Sequence, residues 1–203
     1  MADRIDVGRS YDLICDEWRR FRNSTQINRC VVGFADLLPA GGRVLDVGCG
    51  TGYPIADYLT SRSFSVTGID VSGEMISRAQ ALRLPGAEFF RQDLLDFSSD
   101  LPYDGVIAFD SIWHIEKTRQ AEGYRKISSL MKNGGYFLFT HGNREGETVG
   151  EMFGQKFYYG ATDIATLRAV LAETGLQIVS LTENYKEPTT GERDLLVVAR
   201  KRI

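Results

Sequence analysis

Three glycines at alternate positions, Gly48, Gly50 and Gly52, follow the run Arg43-Val44-Leu45-Asp46-Val47 and precede Tyr53-Pro54. Three apolar residues and an acid read as a short buried strand, and the glycines that follow force a tight turn. Glycine also removes the side chains that would hold a ligand away from the backbone. Pro54 suits the first turn of a following helix, where its missing N–H has no partner to lose. The chemistry implied is the cradling of a small-molecule cofactor. A dinucleotide fingerprint, Gly-x-Gly-x-x-Gly, requires glycine at 53, where Tyr53 stands. The Asp46 carboxylate beside the loop would repel a pyrophosphate and suits a cofactor carrying positive charge.

Further polar groups recur where strands end. Asp70 closes an apolar run over 64–70. A carboxylate there is placed to accept from both hydroxyls of a ribose, because it offers two oxygens to a diol. An NAD enzyme would use it likewise. Ser72 is available to cap the next helix, and Val71 and Met75 are candidates for contact with an adenine face. The fourth apolar run, over 103–110, leads into Ser111-Ile112-Trp113-His114-Ile115. Ligands of open α/β sheets sit beyond the carboxyl ends of strands, so this exit flanks the reacting group. An unperturbed imidazole, with a pKa of about 6.5, is mostly neutral at pH 7, which makes His114 a candidate general base.

The stretch Val44-Leu45-Asp46-Val47-Gly48-Cys49-Gly50-Thr51-Gly52 resembles the first motif of the class I S-adenosylmethionine-dependent methyltransferases. The spacing of later motifs extends the resemblance over most of the chain. It implies S-adenosyl-L-methionine as cofactor, with an ammonium and a sulfonium that suit Asp46. It also implies methyl transfer to an oxygen or nitrogen of a small-molecule acceptor, with no metal or redox group required. The cofactor set is then Tyr11, Arg22, Asp46, Gly48, Cys49, Gly50, Gly52, Asp70, Val71, Met75, Asp93, Leu94 and Phe109. Asp93 resembles the family's adenine-reading acid, with the Leu94 N–H donating to the ring; Asp96 is the alternative. Trp18, Trp113, His114, Phe157 and Tyr158 are the expected acceptor contacts, and His114 the expected catalytic group. No Asn-Pro-Pro-Tyr or Asp-Pro-Pro-Tyr follows the fourth strand, no Pro-Cys nucleophile is present, and no Asp-Asn pair follows the fifth strand. Those absences leave a small molecule as the acceptor. A nicotinamide-dependent reductase and an inert S-adenosylmethionine-binding partner module are the alternatives.

The elements that must position these groups follow from periodicity. Tyr11, Ile14, Cys15, Trp18 and Phe21 line one side of a helix over 11–22, with Asp12, Asp16, Arg19 and Arg20 opposite. In the small-molecule enzymes that the chain resembles, such a helix commonly forms a lid. A second helix is expected over 26–38, a third after Pro54, and a strand over 88–94. A helix over 120–132 leads through Lys132-Asn133-Gly134-Gly135 to a strand over 136–140. Residues 141–160 show no clear period, with Met152, Phe153, Phe157, Tyr158 and Tyr159 among glycines, as in a flap over an apolar pocket. Asp163 is placed to cap a helix ending at Gly175. Strands over 177–185 and 194–201, joined through Pro188, Thr189, Thr190 and Gly191, imply an antiparallel last strand. The expected architecture is a doubly wound α/β, seven-stranded Rossmann-like sheet with an N-terminal helical cap. It forms one domain over 1–203, with the cap or lid over 1–40 and the core over 43–203.

Composition bounds the rest. With 203 residues, 43% hydrophobic and 25% charged, the chain can bury a sizeable single core. A net charge of −3 gives no general attraction to phosphate backbones, and Arg19, Arg20 and Arg22 read as a solvated face, so nucleic acid is not expected. There is no apolar run of about 18 residues and no apolar signal core, so the expected location is cytoplasmic, off the membrane. Cys15, Cys30 and Cys49 are too scattered for a disulfide framework or a zinc site.

Overall fold

Strand β1 (Arg43–Val47) is buried from Val44 to Val47, as a strand covered on both faces must be. The structure, a computed structural model, describes residues 5–187 and 190–203. Ahead of β1 lie helices α1 (Val7–Asn23) and α2 (Arg29–Ala35). After it come α3 (Ile55–Ser61), β2 (Ser65–Asp70), α4 (Gly73–Ala81), β3 (Ala87–Arg91) and β4 (Tyr103–Ala108). Then follow α5 (Gln120–Leu130), β5 (Met131–His141), β6 (Gly146–Met152), β7 (Gln155–Ala161), α6 (Ile164–Glu173), β8 (Leu176–Glu187) and β9 (Gly191–Lys201).

Among the described residues, seven strands form one sheet in the order β3-β2-β1-β4-β5-β9-β8. β1 pairs in parallel with both β2 and β4, so the strand order reverses between them. That is the switch point at which open α/β sheets bind ligands. β9, the last strand in the chain, runs antiparallel to both neighbours, as expected. One face of the sheet packs on Phe34, Leu59 and Ile76 from α2, α3 and α4. The other packs on Tyr124, Ile127 and Leu171 from α5 and α6. Each face is apolar because both must be covered.

Several boundaries differ from the periodicity. α1 begins at Val7, since Asp6 caps it by accepting the Arg9 N–H at 2.9 Å. Phe21, expected on its apolar side, is exposed, whereas Arg22 is buried. α2 is shorter than 26–38, with Asn28 at its N-cap. β3 ends at Arg91, which leaves Asp93 and Leu94 in the turn beyond it. Gly134 and Gly135 lie within β5, where pairing with β4 slips between Tyr103 and Gly105. Residues 141–160, expected to be irregular, form an antiparallel hairpin of β6 and β7. Its two-residue tip, Phe153-Gly154, has φ of 50° and 77°, the signature of a tight hairpin turn. Asp163 caps α6 as expected, through the Thr166 N–H at 2.7 Å. Pro188 and Thr189 of the expected β8–β9 turn lie outside the described residues. Among the described residues, no helix is long and apolar enough to cross a membrane.

Leu45, at the centre of β1, is fully buried. Leu45→Ala should therefore cost about 2–5 kcal/mol of unfolding free energy in a denaturant titration, the range for a core leucine cavity.

Candidate active site

A cavity of about 760 Å³ opens beyond the carboxyl ends of β1, β2 and β4, within the roughly 300–1,000 Å³ of small-molecule sites. The glycine loop forms its floor. The N–H groups of Gly48 and Cys49 donate to the Ile69 carbonyl at 2.8 and 3.0 Å. The Gly50 N–H donates to Asp70 Oδ2 at 2.9 Å. The glycines serve different ends. A side chain at Gly48 would meet Ser111 Cβ at 2.4 Å, and one at Gly52 would meet the Phe89 ring at 3.0 Å. A Cβ at Gly50 would meet only Trp18 Nε1, at 3.6 Å, because this position faces the cavity.

Asp70 joins that loop to α4, since its Oδ1 accepts the Ser72 N–H at 2.9 Å. Burial raises its pKa, and the Ser72 and Gly50 N–H groups oppose the rise. A carboxylate has about four lone-pair sites, so two N–H groups leave capacity for a diol. Asp46 lies behind the loop, outside the cavity wall, with Oδ2 buried and unpartnered. Burial first, then the Asp70 charge, pushes its pKa to about 7. Arg22, from the last turn of α1, lines the cavity, and burial lowers its pKa while Asp110 and Asp46 hold it up. Its guanidinium reaches only weakly to Asn28 Oδ1, at 3.5 Å. Thr51 Oγ1, in the wall, is also buried without a partner.

These features fit S-adenosylmethionine. A buried cation and a buried acid near the loop complement an amino-acid zwitterion, and the unpartnered Thr51 hydroxyl of the wall is free for a polar group in the cavity. Val71, Met75, Asp93 and Leu94 line the far end, where an adenine would lie. Asp96 does not line the cavity, so Asp93 is the better placed acid. Tyr11, Trp18, Cys49 and Phe109 line the wall as well. Among the described residues, no three His, Cys, Asp or Glu side chains converge as a metal site.

The end of the cavity beyond β4 is built differently from expectation. Tyr158 and His114 line it, whereas Trp113 and Phe157 do not. Phe157 points inward from the β6–β7 hairpin, fully buried, with its ring centroid 4.8 Å from that of Tyr11. Trp113 is turned toward Tyr159, its indole Nε1 buried without a partner. His114 sits on a single 3-10 turn, Ile112–His114. Its Nδ1 lies 2.8 Å from the Tyr158 carbonyl and its Nε2 lies 3.0 Å from the Tyr11 hydroxyl. Burial pushes its pKa down to about 4, against the Tyr158 carbonyl and Asp110. A base open to the acceptor was expected; the imidazole is instead half-buried, with both ring nitrogens within hydrogen-bond distance of neighbouring groups. His141 is fully buried away from the cavity, with Nδ1 2.6 Å from the Gly142 carbonyl.

Sequence reasoning missed Asp110 and Ser111. Asp110 lines the cavity at φ 58° and forms a two-pronged ion pair with Arg193 of β9. The Ser111 hydroxyl donates to the Val47 carbonyl at 2.8 Å, which pins the β4 exit to β1. A non-glycine residue at positive φ directly after a strand marks a constrained site, but that conformation is invisible in sequence.

Residues 16–181 match the family model described as methyltransferase domain. YqeM of Bacillus subtilis, named as a methyltransferase, is 36% identical over 108 residues, covering 50% of this chain and 43% of that protein. The chain thus spans less than half the length of this relative and also of one from Geobacillus, where the share is 41%. The ubiquinone biosynthesis O-methyltransferase of Chromobacterium violaceum is 28% identical over 153 residues, covering 70% of this chain and 65% of that one. Among solved structures, magnesium protoporphyrin IX methyltransferase of Synechocystis, with bound S-adenosylmethionine, superposes with a TM-score of 0.73 at 20% identity, covering 99% of this chain and all of that one. The glycine loop at the switch point is thus part of a longer agreement, running from residue 16 to residue 181, and the chain belongs to the class I S-adenosylmethionine-dependent methyltransferase family.

Proposed function

We propose that the protein transfers a methyl group from S-adenosyl-L-methionine to an oxygen or nitrogen of a small-molecule acceptor. The observation that carries this reading is the open space over Gly50, whose own N–H is held by Asp70. Bound there, the cofactor supplies a methyl group activated by a sulfonium. Asp70 accepts the ribose hydroxyls, Asp93 and the Leu94 N–H meet the adenine, and Val71 and Met75 pack on its face. Arg22 holds the carboxylate, Asp46 attracts the ammonium from behind the loop, and the wall of Tyr11, Cys49 and Phe109 excludes water. Gly48 and Gly52 let the loop close on its supports.

The chain acts as one domain, with residues 1–40 as a cap or lid over a core spanning 43–203. Contacts of α1 support the lid: the Ser10 hydroxyl donates to the Lys156 carbonyl at 2.8 Å and the Tyr11 ring meets Phe157. Trp18 and Tyr158 flank the acceptor. Cys15, Cys30 and Cys49 are free thiols, which suits a reducing compartment such as the cytoplasm.

Calorimetry should detect S-adenosylhomocysteine binding and none for NAD; the reverse would overturn the reading. Gly50→Val should abolish that binding, because the added side chain enters cofactor space and also strains a loop position at φ 54°. Asp70→Ala should weaken it by about 1–3 kcal/mol, the cost of leaving buried hydrogen-bonding groups unpaired.

Asp46 adds a pH signature. An ammonium bound across the loop from it lowers its pKa from about 7, so S-adenosylhomocysteine binding at pH 6 should release a fraction of a proton, falling toward zero by pH 8. Calorimetry in buffers of different ionisation enthalpy measures this. Without ligand, the folded chain keeps a proton on Asp46 that the unfolded chain has lost. Its contribution to stability is present at acid pH and should disappear as pH rises from about 4 to about 7.

A further inference from the structure

We propose that the Tyr11 hydroxyl receives the acceptor's proton and passes its own to His114, so that tyrosine, not histidine, is the catalytic residue touching the acceptor. This rests on the methyltransferase reading above. The direction of the relay follows from hydrogen-bond roles. The Tyr158 carbonyl, 2.8 Å from His114 Nδ1, can only accept, so Nδ1 carries the hydrogen and Nε2 the lone pair. The Tyr11 hydroxyl, 3.0 Å from Nε2, must then donate to it. Its proton is committed to the imidazole, and its oxygen lone pairs remain for a donor from the cavity that Tyr11 lines. An acceptor O–H or N–H supplies that donor. The imidazole itself is not reachable at its basic nitrogen without displacing Tyr11.

The surroundings of the pair decide when the proton moves. His114 faces Tyr11 on α1, Tyr159 on β7 at 5.0 Å between ring centroids, Phe157 at 5.9 Å, and its own neighbour Trp113. The charge acting on it is that of Asp110, after β4, whose carboxylate is held by Arg193. The acid nearest the hairpin side, Glu147, accepts the Tyr158 hydroxyl at 2.7 Å. Asp70 and Asp110 bear on Tyr11, and burial keeps that phenol protonated at rest. A sulfonium in the same cavity opposes a second cation, so the imidazole stays neutral before transfer. On transfer, the acceptor lone pair forms the bond to the methyl carbon and sulfur keeps the electron pair of the bond that breaks. The acceptor proton goes to Tyr11 Oη and the Tyr11 proton goes to His114 Nε2. One positive charge leaves sulfur and one arrives on imidazole, facing Asp110, with no outside base or oxidant.

Imidazole nitrogen NMR tests this without knowledge of the acceptor. The chain has two histidines, and loss of one signal in His114→Gln assigns the pair. In the wild type, His114 should show the Nδ1–H tautomer with a hydrogen-bonded Nε2, and Tyr11→Phe should move the Nε2 resonance toward that of a free lone pair. With S-adenosylhomocysteine bound, the pH midpoint of His114 should lie about one unit or more above that with S-adenosylmethionine bound, the size expected of one charge in a shared cavity. That comparison needs no variant. Equal midpoints with both ligands, or an Nε2 resonance unmoved by Tyr11→Phe, would overturn the relay while calorimetric binding of both ligands leaves the methyltransferase reading standing. Failure of either to bind in calorimetry would overturn both.

Discussion

The Asp70 carboxylate accepts the N–H of Gly50 through one oxygen and that of Ser72 through the other. Two segments that share no regular secondary structure, the turn after β1 and the entry to α4, are thereby fixed to one planar group. Burying a carboxylate is costly, and two backbone donors are what make it tolerable here. The arrangement spreads further. Ser72 caps α4 by accepting the Met75 N–H at 3.1 Å, and Asp12 of α1 accepts from both Ser72 Oγ and the Glu74 N–H. The N-terminal helix is thus attached to the cofactor side of the site by polar contacts, while Ile14 and Cys15 supply its buried apolar contact.

The opposite wall depends on a second set of constraints, drawn from remote parts of the chain. Arg193 on β9 grips Asp110 and lies 5.3 Å from the Phe109 ring centroid. Thr140 of β5 accepts the Asp110 N–H at 2.8 Å, and Ser111 reaches β1. A residue in the left-handed region is held there by Thr140 and Arg193, which is how a strained conformation persists. The β6–β7 hairpin then closes the acceptor side through Tyr158.

The sheet, its switch point, and the glycine loop with the Asp70 that supports it were legible in the sequence. Gly48, Gly50, Gly52, Asp70 and Ser72 act through backbone geometry and short-range hydrogen bonds, and such roles leave local signatures. The acceptor side was legible in place only. His114 was singled out from its position after β4, yet its ring nitrogens are engaged by Tyr11, 103 residues earlier, and by the Tyr158 carbonyl, 44 residues later. No local pattern encodes a partner at that separation. Trp113 and Phe157 were misplaced for a related reason: an aromatic residue beside a site is equally able to line it or to support it from behind, and packing decides. The hairpin was hidden because β6, Gly146–Met152, is mostly polar and exposed, with Val149 and Met152 its only apolar side chains, so it lacks the apolar alternation by which a strand is read. Arg22 read as one of a cluster with Arg19 and Arg20 on one helix, and only its burial separates it from them.

The tautomer of His114 is set by a main-chain oxygen. A side-chain acceptor in that place would be open to loss by a single codon change; the carbonyl at position 158 is present whatever residue stands there. A substitution at 158 therefore changes the cavity wall and the hydroxyl's contacts with the Lys117 N–H and Glu147, while the imidazole keeps its hydrogen on the same nitrogen. What that orientation does require is the register of the hairpin, in which Val149 faces Tyr158. An insertion or deletion at the Phe153-Gly154 tip, and not a substitution at 158, is the genetic change to which proton placement in this site is most exposed.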